Sequence, residues 1–258
     1  MRNQQPSRIG HWVDAVYVLS VKSFDRRIAH ITAELGRHGI PFEFVFEHDA
    51  SEMDPALVSA TFGPCDLGPG QQSLVLKNIH VWRQAAARGL RRVLVFEDDA
   101  VLLDDFWPRF EEAMRALDQR PPGWLLFLGG LDTKVPDRYF LEPGPLVELP
   151  IATAEAHLCD AEAIRRRLAW LENHRVTVAA DFLIRQVDAQ VGVKQFWLRH
   201  PIVEQGSVLG LFDSMLDKHR LKHSRAFNIL RNRWNKFQRR QLREWLVRTK
   251  QIFRLRAP

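Results

Sequence analysis

The segment Val93-Leu94-Val95-Phe96-Glu97-Asp98-Asp99 constrains this chain more than any other. Four apolar residues run directly into three carboxylates. A continuous apolar run reads as a strand covered on both faces, as in a mainly parallel sheet with helices above and below it. The carboxylates then fall where the strand leaves the core. Open α/β sheets bind ligands just outside the carboxyl ends of their strands. Neighbouring carboxylates repel one another unless something positive lies between them, and this segment carries no base of its own. A divalent cation, Mg²⁺ or Mn²⁺, would serve, because such ions take oxygen ligands together with a substrate's phosphates. The competing reading is a solvated turn or a helix cap, as expected for Asp104 and Asp105 before Phe106-Trp107-Pro108.

The flanking pattern supports an α/β chain. Strands are expected at 15–19, 42–46, 124–128, 152–158 and 191–198. Helices are expected at 25–38, 70–88, 105–117 and 181–188, with another bearing Ile164, Leu168 and Leu171 on one face. Gly39 followed by Pro41 stops the first helix, and Gly89 stops the second. Residues 52–69 read as a loop with a short helix. The polar stretch 132–145 suits a loop lying over a site. There is no internal repeat, no P-loop and no G-x-G-x-x-G.

With 258 residues, 46% of them hydrophobic, the chain can bury one sizeable core. No apolar run approaches the roughly 20 residues of a bilayer span. Residues 1–11 are polar and unlike a signal peptide. The expectation is a cytoplasmic protein, peripheral on the inner face of the inner membrane. Cys65 and Cys159 form neither a disulfide framework nor a metal-site spacing. The net charge of +6 is unevenly spread: residues 218–258 hold 14 of the 37 Lys and Arg but only one acid, Glu244, so the tail carries +13 and the remainder −7. This divides the chain into a body, 1–215, and a basic tail, 216–258. On a helical wheel Phe227, Leu230, Trp234, Phe237, Trp245 and Ile252 share one face of the tail. Arg225, Arg233, Lys236, Arg239, Arg240, Arg243, Lys250 and Arg254 share the other. Basic residues opposite aromatic ones describe a helix at an anionic membrane surface; the alternative is a helix packed on the body with a solvated basic face. Nothing in the body resembles a nucleic-acid module, so no nucleic-acid partner is expected.

Several pieces, taken in order, resemble the family 25 glycosyltransferases, which include bacterial lipooligosaccharide galactosyltransferases and collagen galactosyltransferases. They are Val16-Tyr17-Val18-Leu19 with Asp25-Arg26-Arg27, then Leu35-Gly36-Arg37-His38-Gly39-Ile40-Pro41-Phe42, then a Gly-led helix ending in a tryptophan. Glu97-Asp98-Asp99 resembles that family's form of the D-x-D metal motif. Trp124-Leu125-Leu126-Phe127-Leu128-Gly129, Asp181-Phe182-Leu183 and Pro201-Ile202-Val203-Glu204-Gln205-Gly206-Ser207 resemble its later segments. The chain departs from the pattern in two places. Gly70-Gln71-Gln72-Ser73-Leu74 stands where Gly-Glu-Ile-Gly-Cys is usual, with Lys77-Asn78 at a Ser-His position. Leu19-Ser20-Val21-Lys22 stands where many members have Asn-Leu-Asp.

The resemblance implies a GT-A-like fold, that is, a mixed, mainly parallel sheet flanked by helices. It also implies a nucleotide-sugar donor, UDP-linked, a saccharide or glycolipid acceptor, and inversion at the anomeric carbon. Glu97 and Asp99, at i and i+2 of an extended segment, are the expected ligands of Mn²⁺ or Mg²⁺. Asp98 is expected at the ribose or sugar. Arg26, Arg27, Lys77 and Asn78 are expected around the donor. Asp181 is the expected general base or, on the plainer reading, a helix cap, with Glu204 as runner-up. Gln205 and Ser207 belong to the closing acceptor segment. His157 reads as a satisfied core histidine, and His200 as a weak third metal ligand. Two other classes compete: a lapsed membrane-associated scaffold, and another metal-dependent enzyme acting on phosphates.

Overall fold

The computed structural model describes residues 7–212 and 225–256. The expected boundary between 215 and 216 lies outside the described residues. One seven-stranded sheet is built from β1 (Ala15–Leu19), β2 (Glu43–Val45), β3 (Arg92–Glu97), β5 (Trp124–Phe127), β6 (Leu146–Glu148), β7 (Ala156–Asp160) and β8 (Lys194–Leu198), in the order β2-β1-β3-β7-β5-β8-β6. The pairings send β2, β1, β3, β5 and β8 one way and β7 and β6 the other, so the sheet is mixed and mainly parallel. A separate antiparallel pair joins β4 (Ala100–Leu102) to β9 (Val203–Gln205).

The helices α1 (Asp25–Arg37), α2 (Pro55–Thr61), α3 (Pro69–Ala87), α4 (Phe106–Leu117), α5 (Ala161–Asn173) and α6 (Ala180–Val191) complete the body. The apolar run in β3 explains how they are arranged. Val93 and Val95 point into one core, shared with α3, α5 and α6, while Leu94 and Phe96 point into another, shared with α1 and α4. All four are 0–1% exposed. Each such burial stabilises by about 1.5–3 kcal/mol, so β3 is pinned from both sides and its acidic end is fixed in space.

Two expected strands are shifted. The stretch expected at 152–158 pairs only from Ala156 and runs on to Asp160, whose carboxylate caps α5 by accepting from the Ala163 N–H at 2.8 Å. The strand expected from 191 starts at Lys194, because α6 continues to Val191 and closes on Gly192 at φ 71°. The three-residue strands β4, β6 and β9 are too short to show a period.

The tail comprises α7 (Arg225–Lys236), a π-helical segment (Phe237–Leu242) and α8 (Arg243–Arg256). It lies on the body with its basic side inward. Lys236 pairs with Glu204 at 2.7 Å, and Arg243 with Asp137 at 2.7 Å. Arg239 donates to the Asp132 carbonyl. Arg240 is buried; it donates to the Gly130 carbonyl and to that of Leu131 at 3.1 Å, and lies 4.8 Å over the Tyr139 ring. Four residues expected on a solvated or lipid-facing side are therefore body contacts, because the loop after β5 offers carbonyls and Asp137 and β9 offers Glu204. Phe227, Leu230, Trp234, Phe237, Trp245 and Ile252 remain exposed. The side chains of Arg225 and Arg254 lie outside the described residues. Among the described residues no helix is long and apolar enough to cross a membrane.

Candidate active site

Strand β3 ends at Glu97, Asp98 and Asp99 form a turn, and the chain reverses into β4. Because β4 pairs with β9, with Ala100 opposite Gln205, the closing segment is brought against the acidic turn. Gln205 Nε2 donates to Glu97 Oε2 at 3.2 Å, and the Ser207 N–H donates to Asp99 Oδ2 at 3.0 Å. Between them the Gly206 N–H donates to the Asp99 carbonyl at 2.7 Å. A Cβ at Gly206 would lie 2.7 Å from that same oxygen, so only glycine allows the approach. Residues more than a hundred positions apart thus meet, and Gln205 and Ser207, expected in an acceptor segment, lie against the acidic turn.

The three carboxylates are not equivalent. Asp98 turns inward: Ser20 Oγ donates to it at 2.8 Å, and the Arg27 guanidinium pairs with it at 2.8 Å. Burial raises the Asp98 pKa, while Arg27 and Ser20 oppose that rise. Asp98, expected at the ribose or sugar, makes this internal pair, and the base missing from the local sequence is supplied by α1. Arg27 also lies 3.9 Å from Asp99 and sits over the rings of Phe24 and Phe212. Glu97, partly exposed at the sheet edge, is pushed well above the usual carboxylate range, first by burial and then by the negative charges of Asp99, Glu155 and Asp98. Asp99 Oδ1 is buried with no hydrogen-bond partner.

This donor set fits a hard cation. Crowded carboxylates and an orphaned acidic oxygen are what a bound Mg²⁺ or Mn²⁺ would relieve. The fit is to two carboxylates, Glu97 and Asp99, since no group of three or more His, Cys, Asp or Glu suited to a metal occurs among the described residues. Such ions commonly keep waters and substrate phosphates in the other positions. His200 does not join them; it follows β8, three strands away from β3.

Glu155 is the site residue that the sequence concealed. Its carboxylate lies on the Gly129-Gly130 turn, accepting from the Gly130 N–H at 2.5 Å, and its carbonyl accepts from the Glu97 N–H at 3.0 Å. A Cβ at Gly129 would lie 2.2 Å from Oε1 of Glu155. Burial raises its pKa to about 6. The Gly-Gly pair after β5 was the available signal, but Glu155 itself fell inside a stretch that reads as strand.

The remaining candidates scatter. Lys77 is buried, and its ammonium donates to Asp49 at 2.7 Å and to the carbonyls of Glu47 and Val45 at 2.8 and 3.2 Å. Its three hydrogens are used, leaving none for a diphosphate. Burial lowers its pKa against the pull of Asp49. Asn78 is buried too and donates to the Leu74 carbonyl at 2.9 Å. The Lys77-Asn78 departure therefore serves the interior of α3. Arg26 is exposed. Asp181 sits in the first turn of α6 behind the N-cap Ala179; no side chain caps the helix, so the plainer of its two readings, a cap, does not hold. Because α6 feeds the start of β8, its own start lies toward the carboxyl edge of the sheet. Glu204 is occupied by Lys236. His157 is buried, but both ring nitrogens lack partners, so it is unsatisfied rather than satisfied; burial lowers its pKa to about 3.

The model of "Glycosyltransferase family 25 (LPS biosynthesis protein)" matches residues 13–131. A rat protein named "Probable inactive glycosyltransferase 25 family member 3" is 26% identical over 196 residues, covering 70% of this chain and 34% of that protein. The lacto-N-neotetraose biosynthesis glycosyltransferase LgtB of Neisseria meningitidis serogroup B is 33% identical over 94 residues, covering 33% of each chain. The chain thus spans about a third of the length of these curated relatives. Among solved structures, mouse xyloside xylosyltransferase 1 is similar at a TM-score of 0.40 and 14% identity, covering 70% of this chain and 71% of that one.

Proposed function

We propose, from the match of residues 13–131 to the family 25 glycosyltransferase model, an inverting, metal-dependent hexosyltransferase of surface glycan synthesis. The donor is a UDP-linked sugar, galactose or a related hexose, and the acceptor is a saccharide or glycolipid. The observation that carries this reading is the pair Glu97 and Asp99 at the carboxyl end of β3, with one buried carboxylate oxygen unpartnered. Relatives named for lacto-N-neotetraose biosynthesis support a saccharide acceptor.

Glu97 and Asp99 would hold Mn²⁺ or Mg²⁺, which when bound neutralises charge developing on the departing diphosphate. Arg27 pairs with Asp98 and holds it folded inward, offsetting its charge beside the metal side. Gln205 and the Ser207 N–H orient the two ligands. Asp181 is the proposed base, because no hydrogen bond or ion pair engages its carboxylate among the described residues, whereas Glu204 is held by Lys236. The exposed aromatic face of the tail, with Arg233 and Lys250 also exposed, suits an anionic membrane surface.

A lapsed scaffold is the second reading, favoured by similarity to relatives named inactive. Donor hydrolysis and transfer with a panel of nucleotide sugars, with and without Mn²⁺, decides between them. Metal-dependent turnover of one donor supports the enzyme. UDP binding without turnover of any donor, across a saccharide acceptor panel, supports the scaffold.

A further inference from the structure

Glu155 stands beside the metal side of the site with nothing there to balance its charge. In β3 and β7 Phe96 lies opposite Ala156, and in β5 and β7 Phe127 lies opposite His157. Continued to the edge of the sheet, these registers set Glu97, Glu155 and Gly129 in one row. Glu97 and Glu155 are thus directly opposed, joined by the hydrogen bond from the Glu97 N–H to the Glu155 carbonyl. Opposed residues of an antiparallel pair send their side chains to the same face, with Cα atoms about 5.5 Å apart, and like charges so placed are destabilising. Asp98 has Arg27 to offset it. Among the described residues no ion pair engages Glu97 or Glu155.

The fold nevertheless makes room for this carboxylate and fixes it. Gly129 leaves the space into which Glu155 leans; a Cβ there would also lie 2.4 Å from Cδ of Glu155. Gly130, at φ 89°, turns its N–H onto Oε1. Arg240 of the tail in turn holds the Gly130 carbonyl. Oε1 is therefore engaged. Oε2 accepts from no other residue among the described ones and, unlike Asp99 Oδ1, is not sealed inside.

An ionised carboxylate can only accept. A fixed one at this place could meet a second cation, a diphosphate or a hydroxyl. No group of three or more His, Cys, Asp or Glu suited to a metal occurs among the described residues, and a diphosphate would be repelled. A hydroxyl is the neutral donor that remains. Glu155 stands one strand spacing, roughly 4.8 Å, from Glu97, a gap that a single sugar ring spans.

We propose that Glu155 selects the donor sugar, with Oε2 accepting a hydrogen bond from a ring hydroxyl of the hexose whose diphosphate lies at Glu97 and Asp99. This role rests on the nucleotide-sugar donor proposed above. A site that hydrogen-bonds a hydroxyl discriminates against a ligand that lacks it, whereas the nucleoside diphosphate gains nothing from Glu155.

The test is calorimetry of the full chain with Mn²⁺ against UDP, UDP-glucose and UDP-galactose. In Glu155→Gln at least one UDP-hexose should lose tenfold or more in affinity, as for a lost charge-assisted hydrogen bond, while UDP changes less than twofold. Glutamine keeps an oxygen for the Gly130 N–H and removes the like charge opposite Glu97, so the melting temperature should hold or rise. Gly129→Ala should show the same loss for the hexose, because its methyl group displaces the end of the Glu155 side chain; it decides the matter if Glu155→Gln does not fold. An equal loss for UDP and both UDP-hexoses would make Glu155 a support of the fold or the metal, and unchanged affinity for both hexoses would leave it as a brace of the Gly129-Gly130 turn; either result overturns the role. A wild type that binds no UDP with Mn²⁺ overturns the donor reading and this role with it. Loss confined to the hexose without turnover of any donor favours the lapsed scaffold and leaves the role of Glu155 standing.

Discussion

The Arg27 guanidinium lies 2.8 Å from Asp98 and 3.9 Å from Asp99, so a first-turn residue of α1 partly neutralises an acidic turn some seventy residues later. Arg27 and Asp98 are both largely shielded from water, and removing one partner of such a pair leaves the other charge stranded. Arg27→Met should destabilise the protein by about 3 kcal/mol or more. Asp98→Asn in the same background should recover part of that loss, since the amide still accepts from Ser20. Urea midpoints of the two single variants and the double variant check this; strict additivity would mean the pair is not coupled.

Asp99→Asn should abolish metal-dependent UDP binding with little change in melting temperature. The amide oxygen can still accept from the Ser207 N–H, so the closing segment stays attached, while the charge that would face a cation is gone. Calorimetry of UDP with and without Mn²⁺ is the measurement. Unchanged metal dependence would exclude Asp99 from the site.

Asp181→Asn should lower turnover at least about a hundredfold with donor affinity nearly unchanged, as for a lost general base. Glu204→Gln should instead cost mainly stability, because its carboxylate is taken up by Lys236. If Glu204→Gln shows the larger fall in turnover at full occupancy, the roles are reversed.

Arg240→Met should destabilise by about 1–3 kcal/mol, because the Gly130 and Leu131 carbonyls lose their donor. Activity should fall with it, since Gly130 is also where Glu155 is anchored beside Glu97. Trp234→Ser with Trp245→Ser should leave activity on a soluble acceptor intact and release the protein from anionic vesicles. Co-sedimentation across a salt series reads the second effect; equal vesicle binding by both forms would remove the aromatic face from the membrane.

His157 should make the fold acid-sensitive. Its pKa of about 3 in the fold lies below the ordinary 6.5, so the unfolded chain takes up a proton that the folded one refuses between those values. Stability from this group is lost as pH falls below 6.5, by about 2 kcal/mol at pH 5. Glu155 works in the opposite sense, since its pKa of about 6 exceeds 4.5 and it favours the fold as pH falls through 6. His157→Leu should therefore lose about 2 kcal/mol less than wild type between pH 7 and pH 5. Identical pH profiles by denaturant titration would contradict this.

The apolar run of β3 and the helices around it were legible because two-sided burial and helical period both leave long sequence traces. The meeting of Glu97 and Asp99 with Gln205 and Ser207 was not legible, because no local pattern joins residues 97 and 205. What escaped were contacts fixed by three dimensions alone. Lys77 looked like a phosphate ligand because lysine usually seeks water, yet Asp49 and two carbonyls hold it inside. Glu155 hid in an apparent strand. The basic side of the tail resembled a lipid-facing surface because a helical wheel cannot register the carbonyls at Gly130 and Leu131.

The Gly206–Asp99 contact also sets a clock for the newborn protein. The acidic turn leaves the ribosome early, but its staples at 205–207 and its brace at Arg240 follow more than a hundred residues later. At elongation speeds of up to about 20 residues per second, that is a delay of at least roughly five seconds. Nascent chains arrested before residue 203 should bind no UDP, and those released past residue 240 should bind it, so on the proposed reading the acidic turn stays without its staples for most of synthesis.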